Sequence, residues 1–318
     1  MSNILVTGGA GFVGAYVTKA LLQTGHRVVV FDAQPSMNTL GMLLGDDKKN
    51  LLTIFTGDIT DTWQLLRLCR EHKIDGIVHL ASPLTKDVNE NPSRGIRDIC
   101  QGTQTIFEVA ELASVSRVIW ASSVAVFGSN KHYPAGPLAD SAHHAPEALY
   151  GSCKSLCEHA ARLAWEKSGV DSVGLRLSVV YGAGRLRGYM SFPSHILREA
   201  AFGNLISVPY LDQRLHWQYV EEVADSVLHV LGSKIAGEGR TYNISGDSRT
   251  WSEALKIVSR LKPELQITSN PGEDPLLAET KFEFDASGFT DRFGYKPAWP
   301  LERGVELTMK TYLEMRAQ

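Results

Sequence analysis

Thr7-Gly8-Gly9-Ala10-Gly11-Phe12-Val13-Gly14 stands at a corner between two different apolar patterns. Ile4-Leu5-Val6 before it reads as a short buried strand, and Tyr16-Val17-Thr18-Lys19-Ala20-Leu21-Leu22 after it reads as a helix running away. Gly8, Gly11 and Gly14 recur every third residue through the corner. There, bare backbone N–H groups and a helix N-terminus can receive a pyrophosphate. Many strand-helix corners use glycine only to turn, so the loop alone decides little. The second strand, Arg27-Val28-Val29-Val30-Phe31, ends in Asp32. An acid about 20 residues past such glycines is where a dinucleotide fold hydrogen-bonds the adenosine ribose.

Outward from that corner, continuously apolar runs alternate with helical patterns. Leu52-Thr53-Ile54-Phe55-Thr56, Gly76-Ile77-Val78-His79-Leu80-Ala81, Arg117-Val118-Ile119-Trp120-Ala121-Ser122 and Ser172-Val173-Gly174-Leu175-Arg176-Leu177 read as strands. Segments such as 62–72 and 103–113 carry apolar residues at helical spacing. Strands apolar on both faces, separated by helices, imply a covered parallel sheet. The expected fold is α/β: a Rossmann-type doubly wound parallel sheet with a smaller C-terminal substrate-binding lobe. The first domain is assigned to 1–178 and the lobe mainly to 179–318. Residues 215–235 are expected to pack back on the first domain, because Val220 to Leu231 has a helical apolar pattern.

Composition excludes several classes. A formal charge of -3 and the lack of any Lys/Arg run argue against a nucleic-acid partner. No stretch nears the roughly 18 uncharged apolar residues that a membrane span needs. The apolar start is short, lacks a basic lead and is already used as the first strand, so no signal peptide is read there. Four cysteines show no CxxC spacing, and Cys153 and Cys157, four apart on a helix, suit packing. A cytoplasmic location is the default. His132, His143 and His144 lie in a polar segment too loosely arranged for a metal, so none is expected, although one of them suits substrate contact. His79 reads as a packed strand histidine, and His216 and Trp217 as either pocket border or core.

The chemistry concentrates at Ser122-Ser123, which closes a strand, and at Tyr150 and Lys154, four apart on one helical face. A tyrosine is a poor base unaided, with a reference pKa near 10. A neighbouring ammonium favours the phenolate. Tyr150 can then take a proton from a substrate hydroxyl while hydride leaves the same carbon, with Ser123 holding the substrate oxygen.

These residues resemble the extended short-chain dehydrogenase/reductases of the NAD-dependent epimerase/dehydratase type. The resemblance runs nearly end to end. It takes in the 7–14 loop, Gly57-Asp58-Ile59, His79-Leu80-Ala81, Ser122-Ser123 with Phe127-Gly128, Tyr150 with Lys154 and Glu158, and Leu175-Arg176 with Val180-Tyr181-Gly182. Tyr219-Val220-Glu221-Glu222, Tyr242-Asn243-Ile244 and Phe293-Gly294-Tyr295 also belong to it. It implies that Gly8, Gly11 and Gly14 form the phosphate loop, with backbone contacts from Phe12 and Val13. Asp32 would bind the adenosine ribose, Asp58 and Ile59 would border adenine, and Leu80, Ala81 and Ser82 would line the cofactor. Lys154 would also hold the nicotinamide ribose, beside Tyr150. A carboxylate at Asp32, with no arginine in Ala33-Gln34-Pro35, favours NAD over NADP. A homodimer through the helix at 150–167 and the one near 103–113 is likewise implied.

Departures from the family pattern narrow the substrate. Sugar-nucleotide dehydratases place an acid pair directly after the catalytic hydroxyl residue; Val124 and Ala125 stand there, so dehydration is not expected. Val179 and Ile99 replace asparagines that many sugar-nucleotide epimerases carry. Ala81-Ser82-Pro83 resembles the carbonyl-reductase branch. Arg185 and Arg187 suit an anionic group, a diphosphate or a carboxylate, or else are solvated loop residues. The expected function is an NAD-dependent oxidoreductase/epimerase acting at a secondary alcohol or ketone carbon of a sugar or sugar-nucleotide-like small molecule. The alternative is a dehydrogenase or carbonyl reductase of a small non-nucleotide substrate. A non-catalytic NAD-binding regulator is disfavoured, because Ser123, Tyr150 and Lys154 are retained together.

Overall fold

The computed structural model describes residues 1–35, 37–44, 50–244, 246–275 and 283–317. The first half alternates strand and helix: β1 (Asn3–Thr7), α1 (Phe12–Gln23), β2 (Arg27–Asp32), α2 (Met37–Leu43), β3 (Leu52–Thr56), α3 (Thr62–Glu71), β4 (Gly76–His79). Two short helices, α4 (Thr85–Glu90) and α5 (Pro92–Ile96), lead through a π-helical turn at Arg97–Gln101 into α6 (Gly102–Leu112). Then come β5 (Arg117–Ser123), the long α7 (Leu149–Ser168) and β6 (Ser172–Leu177).

These strands form a seven-stranded parallel sheet, completed from the second half by β10. Before β10 come β7 (Val179–Tyr181), α8 (Phe192–Phe202), β8 (Ile206–Val208), β9 (Arg214–Tyr219) and α9 (Val220–Gly232). After them follow β10 (Arg240–Asn243), β11 (Asp247–Thr250), α10 (Trp251–Leu261), β12 (Ile267–Ser269), α11 (Ser287–Phe293) and α12 (Leu301–Ala317). The sheet order is β10-β6-β5-β4-β1-β2-β3. The chain winds outward from β1 to β3, then returns to place β4 on the other side of β1. That reversal opens a crevice at the strand ends, next to Thr7 and His79, which face each other in register.

Side-chain alternation explains why both faces are apolar. Ile4, Val6, Val28, Val30, Val78 and Ile119 enter one core, while Leu5, Val29, Ile77 and Val118 enter the other. The expected doubly wound sheet is therefore present, and α9 packs back against α1. Two expected boundaries move. The helix after the glycine corner starts at Phe12 rather than Tyr16, and β4 stops at His79, leaving Leu80 and Ala81 in the following loop. β10 was not legible as a strand, because its four residues, Arg240-Thr241-Tyr242-Asn243, are polar at three positions. Smaller sheets β11-β9-β7 and β12-β8 build the C-terminal side. Cys153 and Cys157 are buried core residues, as are Trp217 and His79.

Candidate active site

The glycine corner closes tightly on itself. Gly8 takes φ +68°, and a Cβ there would approach the Ala81 nitrogen to 2.7 Å; a Cβ on Gly14 would collide with the Gly8 carbonyl oxygen. Both positions therefore need glycine, one for its backbone conformation and one for close approach. Gly11 caps α1 without a side-chain hydrogen bond, and no acid occupies the first turn. The first N–H groups of α1 lack intrahelical partners, and a Cβ on Gly11 would meet nothing but the Gly8 carbonyl oxygen at 3.2 Å, so the loop beside them is open. Asp32, at the end of β2, accepts hydrogen bonds from the Ala10 and Gln34 amides at 3.3 and 3.1 Å, which ties it to the same loop. An uncapped helix N-terminus with a carboxylate beside it fits the pyrophosphate and ribose of NAD. Phe12 and Val13 form the first turn, and Leu80, Ala81 and Ser82 follow β4 across from Gly8. Asp58 receives the Thr60 amide and hydroxyl, which hold its carboxyl below the usual range, and pairs with Arg97 at 3.0 Å. Ile59 packs beside Gly102.

The expected catalytic residues converge on the end of β5. Ser123 is its last residue, and its hydroxyl accepts the Ala125 amide at 3.2 Å, opening a short 3₁₀ turn at Val124–Val126. Tyr150 lies in the first turn of α7, and a buried Lys154 follows one turn later. The Lys154 ammonium donates to the Ala121 carbonyl of β5 at 2.8 Å and lies 5.8 Å from the centre of the Tyr150 ring. Helix and strand are thereby cross-linked at the site. Gly151 lets α7 approach closely, since a Cβ there would meet the Ala125 carbonyl.

The two expected substrate arginines diverge. Arg187 is exposed and pairs with Asp87 of α4 at 3.2 Å. Arg185 turns inward, stacks 6.0 Å from the Phe12 ring centre and donates to the Val180 carbonyl. Burial pushes its guanidinium down to about 10, and the Tyr150 hydroxyl acts in the opposite direction. Among the described residues it has no carboxylate partner. Three residues earlier, Gly182 takes φ +153° and sits against Val220, whose Cγ1 would lie 2.5 Å from a Cβ there.

The histidines have protein partners. His79 sits between the Thr7 and Thr103 hydroxyls at 2.7 and 3.2 Å, and burial, with the Lys154 charge, drives it to about 3, so it is neutral. His132 meets Glu147, and His143 stacks on Tyr133. His216 is buried, bonds Ser178 and is pushed by burial to about 4. A cleft of about 1050 Å³ lies away from the crevice, behind α7, and is lined by His144, His159, Arg162 and the buried Glu158 and Arg176. Among the described residues no cluster of His, Cys, Asp or Glu could hold a metal, and no helix is long and apolar enough to cross a membrane.

The model of the NAD dependent epimerase/dehydratase family matches residues 4–245. Over 98% of this chain and 93% of the relative, the sequence is 28% identical to a dTDP-glucose 4,6-dehydratase of Xanthomonas campestris. It is 26% identical to UDP-glucuronate 4-epimerase 1 of Arabidopsis thaliana, over 98% of this chain and 76% of that one. The fold superposes on the L-threonine dehydrogenase of Clostridium difficile with a TM-score of 0.85 at 20% identity, covering 99% and 98% of the two chains.

Proposed function

Because the chain belongs to the NAD-dependent epimerase/dehydratase family, we propose that it is an oxidoreductase/epimerase working at a secondary alcohol carbon of an anionic, sugar-type substrate. NAD is its cofactor, and when bound supplies the acceptor and donor of hydride. The observation that carries the reading is the gathering of Ser123, Tyr150 and Lys154 where α7 meets the end of β5, with Arg185 stacked on Phe12 beside the glycine corner. Tyr150 Oη takes the proton of the substrate hydroxyl and returns it when the carbon is reduced. Lys154, anchored on the Ala121 carbonyl, holds its ammonium 5.8 Å from the centre of the Tyr150 ring. The Ser123 hydroxyl hydrogen-bonds the reacting oxygen.

Arg185 narrows the substrate class. A half-buried guanidinium with no carboxylate partner among the described residues suits a ligand anion. A nucleoside diphosphate hexuronate supplies one, either in its sugar carboxylate or in its diphosphate. The same cation suits the carboxylate of a small hydroxy acid, which supports a dehydrogenase of a non-nucleotide substrate as the second reading. Dehydration is not proposed, since Val124 and Ala125 place no acid beside Ser123. This reading divides the chain into residues 1–178 with 215–235 for the cofactor and the rest of 179–318 mainly for the substrate. A homodimer through α6 and α7 is also proposed, supported by exposed Leu112, Leu156 and Leu163.

The test is incubation of the purified protein with NAD and UDP-glucuronic acid, UDP-glucose and a panel of hydroxy acids. A product isomer of the uronate without absorbance change at the reduced-cofactor wavelength is expected. Net formation of reduced cofactor with a hydroxy acid would select the second reading. Failure to bind NAD would overturn both.

A further inference from the structure

The flank of α7 turned away from the crevice carries a buried ion-pair network that the proposed chemistry does not use. Glu158 lies one turn beyond Lys154 and about two beyond Tyr150 on the same helix, and its side chain is only 4% exposed. Its carboxylate accepts the Ser122 hydroxyl at 2.6 Å, Arg176 Nε at 3.0 Å and Arg176 Nη2 at 2.7 Å, and meets His144 Nε2 at 3.3 Å. All its acceptor directions are therefore taken. Arg176, equally buried on β6, donates further to the Asp140 carbonyl at 3.0 Å and to Asn243 Oδ1 at 3.3 Å, and lies over the Phe127 ring. Burial alone would raise the Glu158 carboxyl; hydrogen bonds from His144 and Arg176, the Arg176 charge and the Ser122 hydroxyl bring it down to about 2.

Stability does not explain such a group. A buried ion pair recovers little more than its desolvation cost, and apolar residues of the same size often serve as well. Directionality explains it better. The carboxylate joins three elements, α7, β5 and β6, and its contact on β5 is Ser122, the residue before Ser123. The bidentate fork from Arg176 leaves the carboxylate one orientation, so the position of Ser122 is set relative to α7.

We propose that Glu158 is a positioning residue that locks the end of β5 to α7 through Ser122 and Arg176, and so fixes the Ser123 hydroxyl relative to that of Tyr150. The proposal rests on the reading that Ser123 and Tyr150 act together on one substrate oxygen. Displacement of either by about 1 Å would cost on the order of a hundredfold in rate. The neighbouring Ala125 amide, which donates to the Ser123 hydroxyl, reports the same alignment without any substrate.

The experiment compares Ser122→Ala, Glu158→Gln and the double variant as full-length protein saturated with NAD. Ser122→Ala removes one hydroxyl and leaves the ion pair intact, so it remains informative if Glu158→Gln does not fold. Amide hydrogen exchange at Ala125 is expected to quicken at least tenfold in Ser122→Ala, with the unfolding midpoint little changed. With UDP-glucuronic acid, kcat is expected to fall ten- to hundredfold in each single variant. KM and the NAD dissociation constant should stay within twofold, and the double variant should be no slower than the slower single one. Unchanged exchange at Ala125 would overturn the proposal. So would losses that multiply in the double variant, or losses that follow the unfolded fraction. If the wild-type protein does not turn over the uronate, the substrate reading falls alone, and the exchange measurement still decides the role of Glu158.

Discussion

Replacing Arg185 by methionine separates a binding role from a structural one. Burial lowers the guanidinium from 12.5 to about 10. At 1.36 kcal/mol per unit, keeping it charged costs the ligand-free protein roughly 3 kcal/mol. Against that stand its hydrogen bond to the Val180 carbonyl and its stacking on Phe12. A charged hydrogen bond is worth about 1.5–3 kcal/mol and a long cation–π contact about 0.5–1. The two sides nearly cancel, so Arg185→Met should change the unfolding free energy of the ligand-free protein by no more than about 1 kcal/mol. Binding behaves differently. A ligand anion that meets the shielded guanidinium loses about 2–5 kcal/mol when the cation is truncated, a factor of roughly a hundred or more in kcat/KM. The assays are urea unfolding without ligand and initial rates on UDP-glucuronic acid and UDP-glucose in parallel. If the sugar carboxylate is the anion met, the loss falls on the uronate alone; if it is the diphosphate, both substrates lose equally. A variant that keeps full activity on both while losing 3 kcal/mol or more of stability would refute the reasoning.

Tyr150→Phe should lower turnover by about 10²–10⁴-fold with NAD affinity unchanged in fluorescence titration, and wild-type turnover would sink the assigned base. Stability should fall on acidification from pH 7.5 to 5. His79 and His216 have folded values depressed to about 3 and 4, so the unfolded chain takes up protons first below 6.5, and each costs roughly 2 kcal/mol at pH 5. Asp140 works with the opposite sign: burial raises its carboxyl to about 6, and it returns a little over 1 kcal/mol as the pH drops through that value. The net loss of about 3 kcal/mol is read from urea midpoints at the two pH values, and equal midpoints would contradict it. Leu156→Glu with Leu163→Glu should give a monomer in sedimentation at micromolar concentration. A wild-type protein already monomeric there would remove the dimer.

The cofactor half was legible in the sequence for a physical reason. Its glycines, strand and helix lie within 32 residues and are read by local rules: an unbroken apolar run for β1, a helical period for α1, and glycines at the corner between them. The strand β10 was invisible because it is short, mostly polar and paired only on its β6 side, so burial leaves little periodic trace in it. The same limit hid the Ser122–Glu158–Arg176 contacts. Each residue stands in a family-like segment, but only the packing of α7 across β5 and β6 brings one hydroxyl and one guanidinium to the same carboxylate.

The arginines show where local reading ends and tertiary structure decides. Arg185 and Arg187 are two apart in a loop, have the same charge and present the same alternatives of substrate contact or solvated surface. Gly182 distinguishes them. Its φ of +153° and its close seat against Val220 leave no room for a Cβ at the start of the turn, from which Arg185 lies back over Phe12 while Arg187 leaves toward Asp87. A side chain at Gly182 would therefore act on the substrate without touching it. Gly182→Ala should push Arg185 away from Phe12 and raise KM for the uronate about as much as Arg185→Met does. NAD affinity should be retained, because the added Cβ presses on Val220 and not on the first turn of α1. A Gly182→Ala enzyme with unchanged KM would mean that Arg185 reaches its place by some other constraint, and that the bend at Gly182 serves packing alone.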